Sequence, residues 1–127
     1  MAHNIVDLPV EQRIKPADLK KKIETDDIFV IDVRNKSEVD ASGTIETKRN
    51  LNIPFPELES ALNLANSDFK SQYGLDKPSG DGSDVVFHCM HGGRGSRAVV
   101  IADKLGLKKA KNLEGGYSDY SKSGSWL

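Results

Sequence analysis

Two stretches of the chain are apolar almost without a break. Residues 28–33, IFVIDV, contain an acid only at Asp32, and residues 84–88, DVVFH, lead directly into Cys89. A strand buried on both faces has this pattern, and such strands belong to parallel sheets. Between the two runs, Leu51 to Pro54 predicts a short strand, and 110–116, AKNLEGG, predicts a last strand and turn. Helical spacing fills much of the rest. Pro16 opens ADLKKKIE as a first-turn proline, with Leu19 and Ile23 facing inward. Residues 56–74 predict a helix in two pieces, broken near Asn66–Ser67. In SRAVVIADKLG, the residues Ala98, Ile101, Ala102 and Leu105 recur at i, i+3, i+4 and i+7, and Gly106 suits the stop. Residues 77–84, KPSGDGSD, predict a surface loop, and YSDYSKSGSWL predicts a closing helix that frays into a polar tail.

Alternating strands and helices predict an α/β domain with a largely parallel sheet and no internal boundary. Ligands of such folds bind beyond the carboxyl ends of the strands. Two strand ends therefore matter: Asp32-Val33-Arg34 and His88-Cys89.

Composition narrows the class. A chain of 127 residues, 37% hydrophobic and 29% charged, is enough for one sizeable core and not for two. A net charge of −1 argues against a general affinity for nucleic acid or an anionic membrane surface. No apolar run approaches the roughly 20 residues of a membrane helix, and the start, MAHNIVDLPV, lacks a basic leader pattern. The expected location is cytoplasmic, or mitochondrial if a presequence has been removed. Cys89 is the only cysteine, which excludes an internal disulfide framework, a thiolate-rich zinc site and an iron–sulfur cluster within one chain. An inert buried thiol, a reactive thiol and an intermolecular partner remain.

The surroundings of Cys89 favour reactivity. The run VVFHCMHGGRGSRAVVIADKLG places a buried strand before it and a helix after it, with Gly92, Gly93 and Gly95 in the turn between. Glycine lets backbone N–H groups turn inward, and inward N–H groups at a helix N-terminus hold an anion. A thiolate gains from such a place, and His91, Arg94 and Arg97 add positive charge nearby. The pattern points to a nucleophilic thiolate that meets an anionic substrate.

Cys89-Met90-His91-Gly92-Gly93-Arg94-Gly95 resembles the C-x-x-G-x-R-[SG] active-site loop of the single-domain rhodaneses, a sulfurtransferase family. Ile31-Asp32-Val33-Arg34 is similar to the family's strand-end IDVR. Glu38 with Gly43-Thr44-Ile45 is similar to its E-x-x-x-G-H-I element. Asn52-Ile53-Pro54 matches its N-I-P, and Gly115-Gly116-Tyr117 its closing G-G-[YFW]. Phe69 to Gly74, then Lys77-Pro78, looks like a segment of small thiosulfate sulfurtransferases. The likeness spans about Pro16 to Tyr120. It implies one rhodanese-like domain, with a core of about residues 12–122, in which a mostly parallel five-stranded sheet carries helices on both faces. Departures are visible too: Thr44 replaces the usual histidine, the span Ile45 to Pro54 is longer than usual, and Tyr120 stands where tryptophan is common.

The resemblance implies a double displacement without metal or organic cofactor. Cys89 takes the outer sulfur of thiosulfate, sulfite leaves, and the persulfide passes its sulfur to cyanide, glutathione or a thioredoxin-like protein thiol. Met90, His91, Gly92, Gly93, Arg94, Gly95 and Arg97 would form the substrate pocket, with Arg94 and Arg97 on the sulfonate end. Asp32, Arg34 and Gly116 would support it. Taken on its own residues, each position also has a plainer reading. His91 either steers substrate or is an exposed loop histidine, and Arg97 either faces substrate or lies on the surface. His88 closes a buried strand and is read as structural, bonded to backbone. Arg34 and Glu38 pair if the residues between them are helical. Two rivals stand beside the sulfurtransferase. A cysteine-dependent phosphatase or arsenate reductase needs a loop one residue longer, because only four residues separate Cys89 from Arg94. A non-catalytic rhodanese-like binding module would have less reason to keep the whole loop.

Overall fold

The computed structural model describes residues 5–25, 28–80 and 84–125. Five strands form one sheet in the order β1-β5-β4-β2-β3, every neighbouring pair parallel. They are β1 (Arg13–Ile14), β2 (Phe29–Asp32), β3 (Arg49–Asn52), β4 (Val85–His88) and β5 (Ala110–Leu113). The helices are α1 (Pro16–Thr25), α2 (Lys36–Ser42), α3 (Phe55–Leu62), α4 (Asn66–Tyr73), α5 (Gly93–Lys104) and α6 (Gly116–Ser125).

Both central strands are buried along their whole length, and their side chains divide by alternation. Phe29, Ile31, Val85 and Phe87 pack with Leu58, Phe69, Val99 and Ala102 in the larger core. Ile28, Val30 and Val86 pack on the other face with Leu19, Ile23, Tyr117 and Tyr120. The sheet thus carries α1 and α6 on one side and α3, α4 and α5 on the other, as the resemblance implies.

Several element boundaries differ from those the sequence pattern predicts. The third strand is Arg49–Asn52 rather than 51–54, because Pro54 has no N–H for the ladder. Its run still hugs β2: Ile53 N–H donates to the Asp32 carbonyl at 2.9 Å and Phe55 N–H to that of Val33 at 3.0 Å. The break in the 56–74 helix falls at residues 63–65, ahead of Asn66. Gly106 does end α5, at φ +99°, but α5 begins at Gly93, so Arg94 and Gly95 belong to its first turn and not to a preceding loop. In the expected loop at 77–84, Pro78 is buried and Lys77 Nζ donates to the carbonyls of Leu62 and Leu64 at 2.8 and 2.7 Å, closing the end of α3. Residues 81–83 of that loop, and residues 126–127 of the closing helix, lie outside the described residues.

Candidate active site

Asp32 and His88 are register partners on β2 and β4, so the two strand ends singled out by the sequence lie side by side. Cys89 follows immediately. It is buried, with 2% of its surface exposed. The chain then turns through Gly92, at φ +115°, into α5. The turn brings Gly92 N–H to 3.0 Å and Gly95 N–H to 3.4 Å from Cys89 Sγ. Two backbone dipoles and the amino end of a helix thus converge on one sulfur atom, the arrangement that stabilises negative charge there.

The loop is also tied down from outside. Tyr117 N–H donates to the Cys89 carbonyl at 2.7 Å, and Ser118 N–H to that of Met90 at 3.0 Å. Gly116 makes this approach possible. It sits at φ +63°, and a Cβ there would lie 2.5 Å from the Cys89 carbonyl oxygen and 2.6 Å from that of Met90. Asn112 of β5 donates from Nδ2 to the Gly92 carbonyl at 3.2 Å. Neither Asn112 nor the Tyr117 N–H was anticipated from the sequence. Asn112 shares a strand face with the buried Ala110, and a polar residue in that phase was the available signal.

Arg94 does not point freely into the loop. Its Nη1 and Nη2 donate to Glu38 Oε2 and Oε1 at 2.7 and 2.9 Å, a two-pronged ion pair between α5 and α2. Glu38 Oε2 also accepts from Asn35 N–H at 2.9 Å, at the start of α2. The hydrogen bonds from Arg94 hold the Glu38 carboxyl down at about 2, and Glu38 in turn raises Arg94, with the nearby Cys89 adding to the effect.

The expected Arg34–Glu38 pair is therefore not formed. Arg34 is fully buried and turns back to Asp32, with Nε at 2.9 Å from Oδ1 and Nη2 at 2.6 Å from Oδ2. Its remaining donors reach Ser42 Oγ at 2.7 Å and the Gly43 carbonyl at 2.8 Å, and its guanidinium lies 4.5 Å from the Tyr117 ring centre. Thr44, in the place of the family's histidine, donates from Oγ1 to Asp32 Oδ2 at 3.1 Å. Burial pushes the Asp32 carboxyl up, but the Arg34 hydrogen bonds prevail and lower it. Asp32 and Arg34 thus form a buried brace beside the cysteine loop.

His88 is fully buried, and among the described residues neither ring nitrogen has a partner at good hydrogen-bond geometry. The backbone of Cys89 nonetheless acts on the ring and favours its charged form, the backbone contact that the sequence suggested. Nε2 lies 3.9 Å from Asp32 Oδ2, yet burial dominates and pushes the imidazole down to about 4, so His88 is neutral at ordinary pH. His91 is exposed and Met90 half-buried at the loop's outer side. Arg97 is half-buried, with its guanidinium 5.1 Å from the Phe55 ring centre and its Nε buried without a partner. It is thus not a plain surface residue, and among the described residues it is not paired to an acid.

A separate cleft of about 690 Å³, lined by residues such as Ile28, Lys48 and Arg49, lies at the amino ends of β2 and β3, away from the sulfur. The chemistry-bearing residues are at the opposite end, where the fold class puts ligands. Among the described residues, no group of three His, Cys, Asp or Glu side chains gathers to hold a metal ion, and no helix is long and apolar enough to cross a membrane.

A parallel α/β domain with a thiol set in an N–H-lined turn at its strand ends is a framework that can hold negative charge on sulfur. The model of the rhodanese-like domain matches residues 15–123, and the chain belongs to that family. It is 40% identical to the human thiosulfate:glutathione sulfurtransferase over 91 residues, 72% of this chain and 76% of the relative. It is 37% identical to a rhodanese domain-containing protein of Drosophila melanogaster over 95 residues, 75% of this chain and 83% of the relative. Among solved structures, the human single-domain sulfurtransferase TSTD1 superposes with a TM-score of 0.80 at 34% identity, covering 90% of this chain and 98% of that one. Sulfur transfer is the class of activity these relatives support.

Proposed function

We propose that the chain is a thiosulfate sulfurtransferase that works through a persulfide on Cys89. The observation that carries this reading is the pair of N–H groups, from Gly92 and Gly95, turned on a single sulfur atom. The Cys89 thiolate attacks the outer sulfur of thiosulfate. A new S–S bond forms, the bond to the sulfonate sulfur breaks, and sulfite leaves with the electron pair. The outer sulfur then carries the negative charge. A thiolate acceptor such as glutathione attacks that outer sulfur, leaves as a persulfide and restores the Cys89 thiolate; cyanide would leave as thiocyanate. A thioredoxin-like protein thiol is an alternative acceptor. No net oxidation occurs and no cofactor is called for. With no second cysteine in the chain, the loaded sulfur waits for an external acceptor.

The charged residues divide the remaining work. Arg94, held by Glu38, presents a fixed positive charge beside the sulfur. Arg97, stacked on Phe55, and His91 at the rim meet the sulfonate as it enters. Met90 shields the bond from water, and Gly93 keeps the turn narrow. Asp32, Arg34 and Gly116 hold the loop without touching substrate. With only four residues between Cys89 and Arg94, the turn suits a single sulfur atom better than the three oxygens of a phosphate. A cytoplasmic or mitochondrial location suits a reduced thiol.

Intact-mass measurement after thiosulfate treatment tests the reading. One added sulfur is expected on the parent, removed by glutathione or cyanide, and none on Cys89→Ser. No adduct and no sulfite release from the folded parent would sink it.

A further inference from the structure

The N–H groups that meet Cys89 Sγ come from residues that cannot hold their own aim. Gly92 and Gly95 have no side chains to pack, and Gly92 sits at φ +115°, where only glycine is comfortable. A hydrogen bond weakens steeply as its angle closes, so a swing of either peptide would release the sulfur.

Asn112 lies under both. Its backbone is fixed on two sides, in register with Phe87 of β4 and Arg13 of β1, and it is 5% exposed. Nδ2 donates to the Gly92 carbonyl at 3.2 Å. The same carbonyl accepts the first helical bond of α5, from Ser96 N–H at 2.9 Å. Two donors from different elements therefore lock the peptide on the far side of Gly92. Asn112 Oδ1 is packed against Gly95, so near that a Cβ at residue 95 would collide with it. That oxygen is buried and, among the described residues, accepts no hydrogen bond. An orphaned buried acceptor is costly, and a leucine would fill the same space without that cost. Packing alone gives no reason for asparagine here, whereas aiming the turn does.

We propose that Asn112 is a positioning residue for the sulfur chemistry: by holding the Gly92–Gly93 peptide through its carbonyl and bearing on Gly95, it orients the two residues whose N–H groups receive charge on Cys89 Sγ. Its consequence for turnover rests on the sulfurtransferase reading; its consequence for the thiol does not.

The test uses the full chain. Because Cys89 is the only cysteine, ultraviolet absorption of the thiolate, corrected with Cys89→Ser, reports that residue alone. Asn112→Leu keeps the shape and removes the donor; Asn112→Ala removes both shape and donor. In either folded variant the acid dissociation constant of the thiol is expected to fall about tenfold relative to the parent, the loss of roughly one charge-assisted hydrogen bond, with the signal at strongly alkaline pH unchanged. Persulfide loading by saturating thiosulfate should slow by a similar factor. A folded variant that titrates like the parent overturns the proposal, and so does failure of both variants to fold by circular dichroism, which would make Asn112 a plain structural residue. A parent that takes no sulfur from thiosulfate, beside variants whose titration shifts, would refute the donor assignment and leave the role of Asn112 standing.

Discussion

Arg94 spends both terminal guanidinium nitrogens on the carboxylate of Glu38, at 2.7 and 2.9 Å. The loop's main cation is therefore held at a fixed angle by a helix that sequence pattern alone did not reveal. Glu38→Gln should release it. With Glu38 at about 2 in the fold against an ordinary 4.5, the pair contributes fully above about pH 4.5 and is lost as pH falls toward 2. The side chains are 29% and 27% exposed, so solvent screening reduces the contribution to about 1–2 kcal/mol. Chemical denaturation of parent and variant should show that gap at neutral pH and a closing gap below pH 4.5. Sulfur loading should slow in the variant as Arg94 loses its place.

The Asp32–Arg34 brace should behave as a unit. Both side chains are essentially out of water, and Asp32→Asn leaves the Arg34 charge buried without its counter-charge. Loss of one partner of such a pair costs about 3–5 kcal/mol. Arg34→Met alone strands Asp32 in the same way. The double variant removes both charges, and its loss should be smaller than the sum of the two single losses, as read from urea midpoints. Equal additivity would mean that the two side chains do not stabilise one another.

These contacts mark the limit of what the chain discloses by pattern. The central strands were legible because burial on both faces leaves continuous apolar runs at 28–33 and 84–88. The turn after Cys89 was legible because the sulfur and its N–H donors are close in sequence. β1 was not, since two residues, Arg13–Ile14, carry no period. Nor was α2, whose sequence KSEVDAS has no apolar stripe and whose start depends on Glu38 closing onto Asn35. The partners that aim the site come from far along the chain: Glu38 is 56 residues from Arg94, and Asn112 is 20 from Gly92. Only the folded sheet brings them together.

His88 gives the fold an acid limit of its own. Burial holds its imidazole at about 4, against 6.5 unfolded. Protonation thus favours the unfolded chain, and the stability His88 contributes as a neutral group is complete above pH 6.5 and lost progressively down to pH 4. The full span is on the order of 3 kcal/mol. Arg34 opposes the protonated form and Asp32 favours it, so Asp32 softens the effect. His88→Leu removes the titration while keeping the space filled. Thermal unfolding between pH 7 and 4 should show a flatter decline in the variant than in the parent.

Two glycines with left-handed backbones give the last contrast. Gly116, at φ +63°, lies against the carbonyls of Cys89 and Met90, whereas Gly74, at φ +82°, has nothing within 4 Å of an added Cβ. Gly74→Ala should cost only backbone strain, about 1 kcal/mol, and leave sulfur transfer intact. Gly116→Ala adds a clash with backbone that cannot move aside cheaply. The Tyr117 and Ser118 N–H bonds to the loop must lengthen, and the loop shifts with them. A stability loss of about 2–4 kcal/mol and at least a tenfold slower persulfide loading, equivalent to about 1.4 kcal/mol in the barrier, are expected. Equal stability losses for the two variants, with Gly116→Ala loading sulfur at the parent rate, would show that the close approach of α6 does not shape the site.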